Sequence, residues 1–144
     1  MRKSDKSIHN ICIASIKRSL KKPYDFKWSS FYNNRQDFED RFKGLITDFH
    51  ENELPVCSVL IDSENWSIVT TRRILTKENS NHSEILISKS RHLLFGNFKG
   101  YKGQKYSFGE IESKIDKRKM NYFIETGSAS MIMVKSIQTV YQVQ

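Results

Sequence analysis

The sequence predicts an α+β fold in which a helical first third, a run of antiparallel strands and a C-terminal helix follow one another. Three observations predict it. The 144 residues suffice for one domain with a real hydrophobic core. Apolar residues follow a helical period at both ends of the chain and a period of two between them. No helical stretch separates the strands, which is typical of α+β proteins.

The first helix is predicted from apolar residues that recur at every fourth position, namely Ile8, Cys12, Ile16 and Leu20. Ser4 or Ser7 can cap its N terminus, because a serine hydroxyl accepts a hydrogen bond from a free amide of the first turn. Pro23 cannot continue a helix. We therefore expect a helix that ends before residue 23.

A second helix is predicted from five apolar residues at helical spacing. Its apolar face would consist of Phe38, Phe42, Leu45, Ile46 and Phe49. Asp37, Glu39 and Asp40 would lie in its first turn, where the helix dipole favours acidic side chains. The aromatic segment between the two helices, residues 24–32, needs a surface on which to pack.

From residue 55 the sequence predicts strands. Residues 56–61 and 66–75 are rich in β-branched and aromatic side chains and flank a polar turn at 62–65, which indicates an antiparallel hairpin. Further strands are predicted at 84–88, 92–98, 105–115 and 121–125. After Gly127 the helical period returns in a closing helix, with Met131, Met133, Val134, Ile137, Val140 and Tyr141 on its apolar face.

Residues 64–75, ENWSIVTTRRIL, resemble the second strand of bacterial pleckstrin-homology-like domains, which often follow an aromatic-x-Ile-x-Thr-x-x-Arg-Ile pattern. The matching positions are Trp66, Ile68, Thr70, Arg73 and Ile74. The resemblance implies a bent antiparallel sheet or partly open barrel over residues 55–144, closed by the C-terminal helix. Two N-terminal helices in residues 1–52 would form an extension packed on this barrel.

The resemblance also implies a binding scaffold of bacterial origin without an active site. Such domains bind lipid headgroups, dock onto proteins or neutralise a toxin as immunity proteins. Headgroup-binding members carry basic residues in the loop between the first two strands, whereas residues 62–65 here are DSEN. We therefore expect a protein-binding module of unknown partner, with an immunity protein as its most specific version, rather than a phosphoinositide receptor.

The residues that could carry chemistry are scattered. His9, His50, His82 and His92 form no close pair, and the two cysteines, Cys12 and Cys57, have no metal-ligand spacing, so we expect no metal, no cofactor and no catalysis. The histidines at 82 and 92 are expected in loops or edge strands. Buried free thiols would suit a reducing, cytoplasmic location. No apolar run approaches the length of a membrane-spanning helix, and no signal-peptide cleavage site follows the basic N terminus, so neither membrane insertion nor secretion is expected.

Positive charge is unevenly distributed. The chain holds 24 Lys and Arg against 16 Asp and Glu, a net charge of +8, and residues 1–43 hold 11 of the former and 5 of the latter. A basic chain favours anionic partners. Two clusters are candidate anion or partner contacts: Lys17, Arg18, Lys21, Lys22, Lys27 and Trp28 in the first third, and Lys99, Lys102 and Lys105 in a glycine-rich loop.

Each basic cluster has an ordinary structural explanation. Cations in the last turn of a helix complement its dipole, and aromatic side chains between helices usually hold those helices to a sheet. The alternative is a nucleic-acid-binding protein that uses the basic N-terminal helices and the aromatic linker. Separately, one of Arg72 and Arg73 should face inward, where it needs a carboxylate such as Glu110 or Glu125.

Overall fold

The computed structural model describes residues 3–44, 48–100 and 103–143. These residues form an α+β fold with antiparallel strands and a C-terminal helix, as the sequence predicts, but the strands form two sheets rather than one bent sheet or barrel. In chain order the elements are α1 (Asp5–Ser19), β1 (Ser29–Phe31), α2 (Arg35–Phe42), β2 (Pro55–Asp62), β3 (Asn65–Thr70), β4 (Arg73–Glu78), β5 (Asn81–Leu86), a 3-10 turn (Ile87–Lys89), β6 (Ser90–Leu94), β7 (Tyr106–Ser113), β8 (Lys119–Glu125), a second 3-10 turn (Gly127–Ala129) and α3 (Ser130–Gln142).

The strands form two separate sheets. The first has five strands in the order β1-β2-β3-β4-β5, and the second has three in the order β6-β7-β8. Every neighbouring pair is antiparallel. Because spatial order follows chain order, β2 to β5 form one meander and β6 to β8 form another. No closed barrel forms in the described residues.

The first predicted helix is confirmed as α1. Ser4 caps it, since the Ser4 hydroxyl accepts a hydrogen bond from the amide of Ser7 at 3.2 Å. The face predicted to be apolar is buried at Ile8, Cys12 and Ile16. Each isoleucine buried in this way contributes about 1.5–3 kcal/mol relative to an exposed one. The helix packs against α3 and β2.

The second predicted helix is too long. α2 ends at Phe42, because Lys43 and Gly44 adopt left-handed backbone conformations with φ of 21° and 78°. A glycine in this conformation is the usual residue after a helix end. Leu45 and Ile46 lie outside the described residues. Phe49 is not helical, but its ring packs 5.3 Å from the ring of Phe38, so its apolar character serves the same cluster.

The prediction of a single strand over residues 66–75 is wrong, because the chain turns between β3 and β4. The Thr70 hydroxyl accepts hydrogen bonds from the amides of Arg72 and Arg73, at 3.1 and 3.0 Å. The amide of Thr71 donates to the carbonyl of Leu54 at 3.0 Å. A threonine that bonds to following amides closes a tight turn without glycine or proline.

The remaining predicted strands are present with shifted ends. β5 begins at Asn81 rather than 84, and residues 87–89 form a 3-10 turn. β6 stops at Leu94, and Gly96 follows with φ 65°. A Cβ at Gly96 would lie 2.2 Å from the carbonyl oxygen of Phe108, so only glycine fits there. The short strand β1, within the aromatic linker, is not predicted.

Apolar side chains bury both faces of the five-stranded sheet. One face packs against α1, α3 and the three-stranded sheet in the main core. A second, aromatic cluster consists of Tyr32, Phe38, Phe42, Trp66, Ile68 and Leu75, with Phe49 and Leu60 at its margin. Trp66 and Ile68 of β3 belong to this cluster and Val69 to the main core, which explains why β3 is buried along nearly its whole length.

Arg73 is the inward-facing arginine, but its predicted partners are wrong. Its side chain is 7% exposed, and Nε lies 2.9 Å from Glu53 Oε2 while Nη1 lies 2.6 Å from Glu84 Oε2. Burial alone would raise the pKa of Glu53, yet hydrogen bonds from Arg73 and Thr70 outweigh it and hold that pKa below its usual value. Glu110 and Glu125 lie elsewhere because the turn before Arg73 directs it toward the loop that precedes β2.

Candidate functional site

A groove lies between strand β6 and the C-terminal half of α3. It encloses a cavity of about 430 Å³. Its lining is mainly apolar and aromatic, with a few polar groups: Ile87, Ser90, Arg91, His92, Phe95, Ile111, Ile137, Gln138, Tyr141 and Gln142. Cavities of this size and composition are typical of ligand sites and of pockets for a partner's side chains.

The strand that borders the groove is an edge strand. β6 pairs with β7 on one side, and among the described strands no other pairs with it. The pairing shifts register between His92 and Leu94, so the strand is bulged at this point. An edge strand presents backbone amides and carbonyls that another strand can use.

His92 forms the floor of the groove, and Tyr122, which is fully buried, lies beneath it. The Nε2 atom of His92 lies 2.6 Å from the hydroxyl of Tyr122, and its ring centroid lies 3.9 Å from that of Phe95. Burial lowers the pKa of His92 and raises that of Tyr122, so both groups are neutral near pH 7. The phenol can therefore donate a hydrogen bond to the imidazole while both groups stay neutral.

Gly109 allows Tyr122 to reach across the sheet. The two residues are opposite each other on β7 and β8, and a Cβ at Gly109 would lie 2.1 Å from Cζ of Tyr122. The ring of Tyr122 thus occupies the space above the glycine and reaches β6 beyond it. Sequence reasoning missed this contact, although a glycine inside a predicted strand is a signal of close approach.

The rim of the groove is apolar and basic. Tyr141 lines the groove and is 47% exposed, and Leu94, the last residue of β6, is 46% exposed. Lys114 Nζ lies 3.3 Å from the hydroxyl of Tyr141. Arg91 lies on β6, and its guanidinium is held 3.0 Å from Glu112. The rim therefore offers exposed hydrophobic contacts next to cations.

None of the basic residues predicted as contacts lines this groove. Lys17, Arg18, Lys21, Lys22, Lys27, Lys99 and Lys105 are exposed, Trp28 is half-buried, and Lys102 lies outside the described residues. Glu125 fixes the linker that carries Lys27 and Trp28. Its carboxylate accepts hydrogen bonds from the amides of Lys27, Trp28 and Ser29 at 3.2, 3.0 and 2.8 Å.

The aromatic linker packs largely as the structural explanation predicts. The ring of Tyr24 lies 5.1 Å from that of Phe31, and the ring of Trp28 lies 5.4 Å from that of Tyr106. Tyr32 is buried in the second cluster. Lys27 Nζ sits 4.7 Å above the Trp28 ring. The linker is thus anchored, with Trp28 at its surface.

The cysteines are not exposed to reactants, and the imidazole of His9 is engaged in a hydrogen bond. Cys12 and Cys57 are buried and unpaired, as the sequence predicts, and burial raises the pKa of both thiols to about 12. Thiols with such a pKa are poor nucleophiles at neutral pH. His9 is buried, and its Nε2 lies 2.8 Å from the carbonyl oxygen of Tyr32. These groups stabilise the core rather than form a reactive site.

A larger cleft of about 570 Å³ lies where α1 and α2 begin. Its lining is polar and includes Asp5, His9, Asn10, Asn33 and Arg35. Several of these groups are already engaged. Asp5 Oδ2 lies 2.9 Å from Arg72 Nη2, and the Arg35 guanidinium donates to the carbonyl of Glu53 at 2.7 Å. The polar residues that line this cleft therefore mainly connect the N-terminal helices to the sheet.

Comparison with protein-family models, with curated proteins and with solved structures finds no match. Within residues 3–44, 48–100 and 103–143, no three His, Cys, Asp or Glu side chains are grouped so that they could hold a metal ion. Across the same residues, no helix combines the length and apolarity that are needed to cross a membrane. The geometry of the groove and the distribution of charge are therefore the features that bear on function.

Proposed function

We propose that this chain is a non-enzymatic protein-binding module that holds an extended segment of its partner in the groove between β6 and α3. The observation that carries the proposal is the edge strand β6 beside an apolar cavity closed by a helix. An extended segment can add to such an edge through main-chain hydrogen bonds, while its alternate side chains enter the cavity.

The order of elements supports the resemblance to pleckstrin-homology-like domains. A four-stranded meander (β2 to β5), a three-stranded meander (β6 to β8) and one C-terminal helix follow each other along residues 55–142. In this proposal α1, β1 and α2 are an N-terminal addition to that plan. The β2–β3 turn is acidic and bonded within itself, since Asp62 Oδ1 accepts from the Glu64 amide at 2.8 Å. This turn argues against headgroup binding.

The rim of the groove indicates the chemistry of the partner segment. Leu94 and Tyr141 favour apolar side chains, and Lys114 favours a neighbouring carboxylate, whereas Arg91 is already paired with Glu112. The proposed ligand is therefore an extended segment with an apolar anchor and an acidic flank. A bacterial toxin neutralised in the cytoplasm is the most specific version of this partner, and the reduced, buried Cys12 and Cys57 suit that compartment.

The test is a display library of random peptides selected on the immobilised full-length protein. We expect enrichment of sequences that combine an apolar anchor with Asp or Glu. The blocking variant Gln138→Trp places a large ring from an exposed position of α3 into the groove. The matched control Gln36→Trp makes the same change on the exposed face of α2.

Enriched peptides should bind the wild type and Gln36→Trp equally and should bind Gln138→Trp at least about tenfold more weakly, which is 1.4 kcal/mol. Thermal unfolding confirms that both variants are folded. Failure to enrich any peptide, or equal binding to Gln138→Trp, would contradict the proposal.

A further inference from the structure

Almost all of the net charge belongs to two short segments. Residues 17–27 and 97–105 together contain eight Lys or Arg and one acid, Asp25, whereas the whole chain carries a net charge of +8. The remainder of the protein is therefore nearly balanced. Such a concentration of one sign produces a local potential that attracts polyanions.

The packing of α1 against α3 brings the first segment to one end of the molecule. At the start of α1, Asp5 binds Arg72, and the carbonyl of Arg72 accepts a hydrogen bond from the amide of Ile87. Ile87 lines the groove together with the C-terminal half of α3. At the other end, the amide of Lys27 donates to Glu125, just before α3 begins. The two helices are thus antiparallel, and the basic end of α1 lies at the N-terminal end of α3.

The glycine-rich loop reaches the same place. The amide of Gly127 donates to the carbonyl of Phe98 at 2.8 Å, and the amide of Thr126 donates to that of Lys105 at 3.1 Å. Two sequence clusters that lie some seventy residues apart therefore meet at the junction of β8 and α3. We call this surface the basic end, formed by Lys17, Arg18, Lys21, Lys22, Lys27, Lys99 and Lys105 with Trp28 and Tyr106.

An aromatic pair lies among these cations. The rings of Trp28 and Tyr106 meet edge to face, with centroids 5.4 Å apart at 88°. Tyr106 is 38% exposed, and Trp28 is half-buried. In the chain, Lys27 directly precedes Trp28, and Lys105 directly precedes Tyr106. Exposed rings flanked by lysines can stack nucleic-acid bases while the cations bind the phosphates.

We propose that the basic end is a second binding site, which takes single-stranded nucleic acid. Phosphates would lie along Lys27, Lys99 and Lys105, and a base would stack on Tyr106. A membrane surface is a poorer fit, because the neighbours of Tyr106 at this end include the polar side chains of Asn97, Gln104 and Thr126, which form hydrogen bonds of their own. Membrane docking is strengthened by buried apolar area as well as by cations, and these polar neighbours supply none.

The basic end and the groove can be occupied together. α3 has 13 residues, which span about 20 Å. The basic end lies at its N terminus, and the groove residues Ile137 and Tyr141 lie in its C-terminal half. Binding at one site therefore leaves the other open, and the two sites can be tested separately.

The first test measures fluorescence anisotropy of labelled oligodeoxythymidylate and oligouridylate with the full-length protein over a salt series. We expect binding that weakens steeply with salt. The double variant Lys27→Gln/Lys105→Gln should bind roughly tenfold more weakly at low salt, with the log–log salt slope reduced by about 1.4. The control Lys6→Gln/Lys89→Gln has the same net charge but lies outside the basic end, and it should bind like the wild type.

A second test addresses stacking. Tyr106→Leu should weaken binding by about fivefold or more. Bound oligonucleotide should quench the tryptophan fluorescence of the wild type but not that of Trp28→Phe, because the remaining tryptophan, Trp66, is fully buried. Gln138→Trp should bind oligonucleotide normally, which separates this site from the groove. Absence of binding at low salt, equal losses in both lysine variants, or binding to phosphatidylserine vesicles without binding to oligonucleotide would overturn the proposal.

Discussion

Replacement of Gly109 by alanine tests the packing of the groove floor. The new Cβ would lie 2.1 Å from Tyr122 Cζ, whereas ordinary carbon contacts are about 3.5–4.0 Å. The Tyr122 ring must therefore move by roughly 1.5 Å, which costs about 1–3 kcal/mol for overpacking. The movement also breaks the 2.6 Å hydrogen bond to His92, at a further cost of about 1 kcal/mol. We expect Gly109→Ala to lower the free energy of unfolding by about 3 kcal/mol.

Urea unfolding followed by circular dichroism measures this value, and a double-variant cycle assigns it. Leucine at position 122 lacks the Cζ, Cε1 and hydroxyl atoms that the new Cβ would meet. In the Tyr122→Leu background, Gly109→Ala should therefore cost less than about 1 kcal/mol, a coupling of about 2 kcal/mol. A neutral Gly109→Ala, or costs that simply add in the double variant, would refute the packing argument.

Three further predictions concern the core and the linker. Glu53→Gln should destabilise the fold by about 1.5–3 kcal/mol, because it removes the charge of one of the two carboxylates that bind the buried Arg73 and leaves only Glu84. Because the pKa of Glu53 is lowered in the folded state, its contribution to wild-type stability is present above about pH 4.3 and is lost as the pH falls further. Urea unfolding midpoints measured across this pH range should show that loss in the wild type and a smaller loss in Glu53→Gln. Cys12 and Cys57 should react with a thiol reagent in native buffer only as fast as the protein unfolds, whereas rapid labelling would contradict their burial. Glu125→Ala should cost about 2–3 kcal/mol and shift Trp28 emission to the red, because three linker amides lose their acceptor; unchanged emission would contradict the anchoring role.

Local signals account for the elements that the sequence predicted correctly. α1 has a single apolar face, a serine cap and a following proline, and all three lie within residues 4–23. The β2–β3 hairpin has strong alternating strands and a polar turn of four residues. The closing helix follows a glycine at position 127 with φ 81°. In each case the physical cause lies within a few residues of its effect.

The errors arose where a distant contact decides the local structure. The turn between β3 and β4 has neither glycine nor proline, and it is closed by Thr70 and by a hydrogen bond from Thr71 to Leu54. Phe49 matches the period of α2, but Gly44 ends that helix and Phe49 reaches the same cluster from an irregular segment. A periodic pattern records burial, and burial does not require one continuous element.

The candidate sites depend even more on the tertiary fold. His92 and Tyr122 lie thirty residues apart, and only Gly109 within a predicted strand indicated a close approach in this region. The basic clusters are visible in the sequence, yet their meeting at the β8–α3 junction follows from hydrogen bonds to Phe98 and Lys105. Composition identified the charge, and the fold placed it.

Hydrogen–deuterium exchange of β6 with and without an enriched peptide tests the central proposal most directly. If the partner segment adds to this edge, the outward-facing amides of residues 90–94 should exchange more slowly in the complex. The exchange rates of the amides of β5, which lies at one edge of the other sheet, should not change. Protection confined to β5, to the basic end or to no strand edge would contradict binding in the groove between β6 and α3.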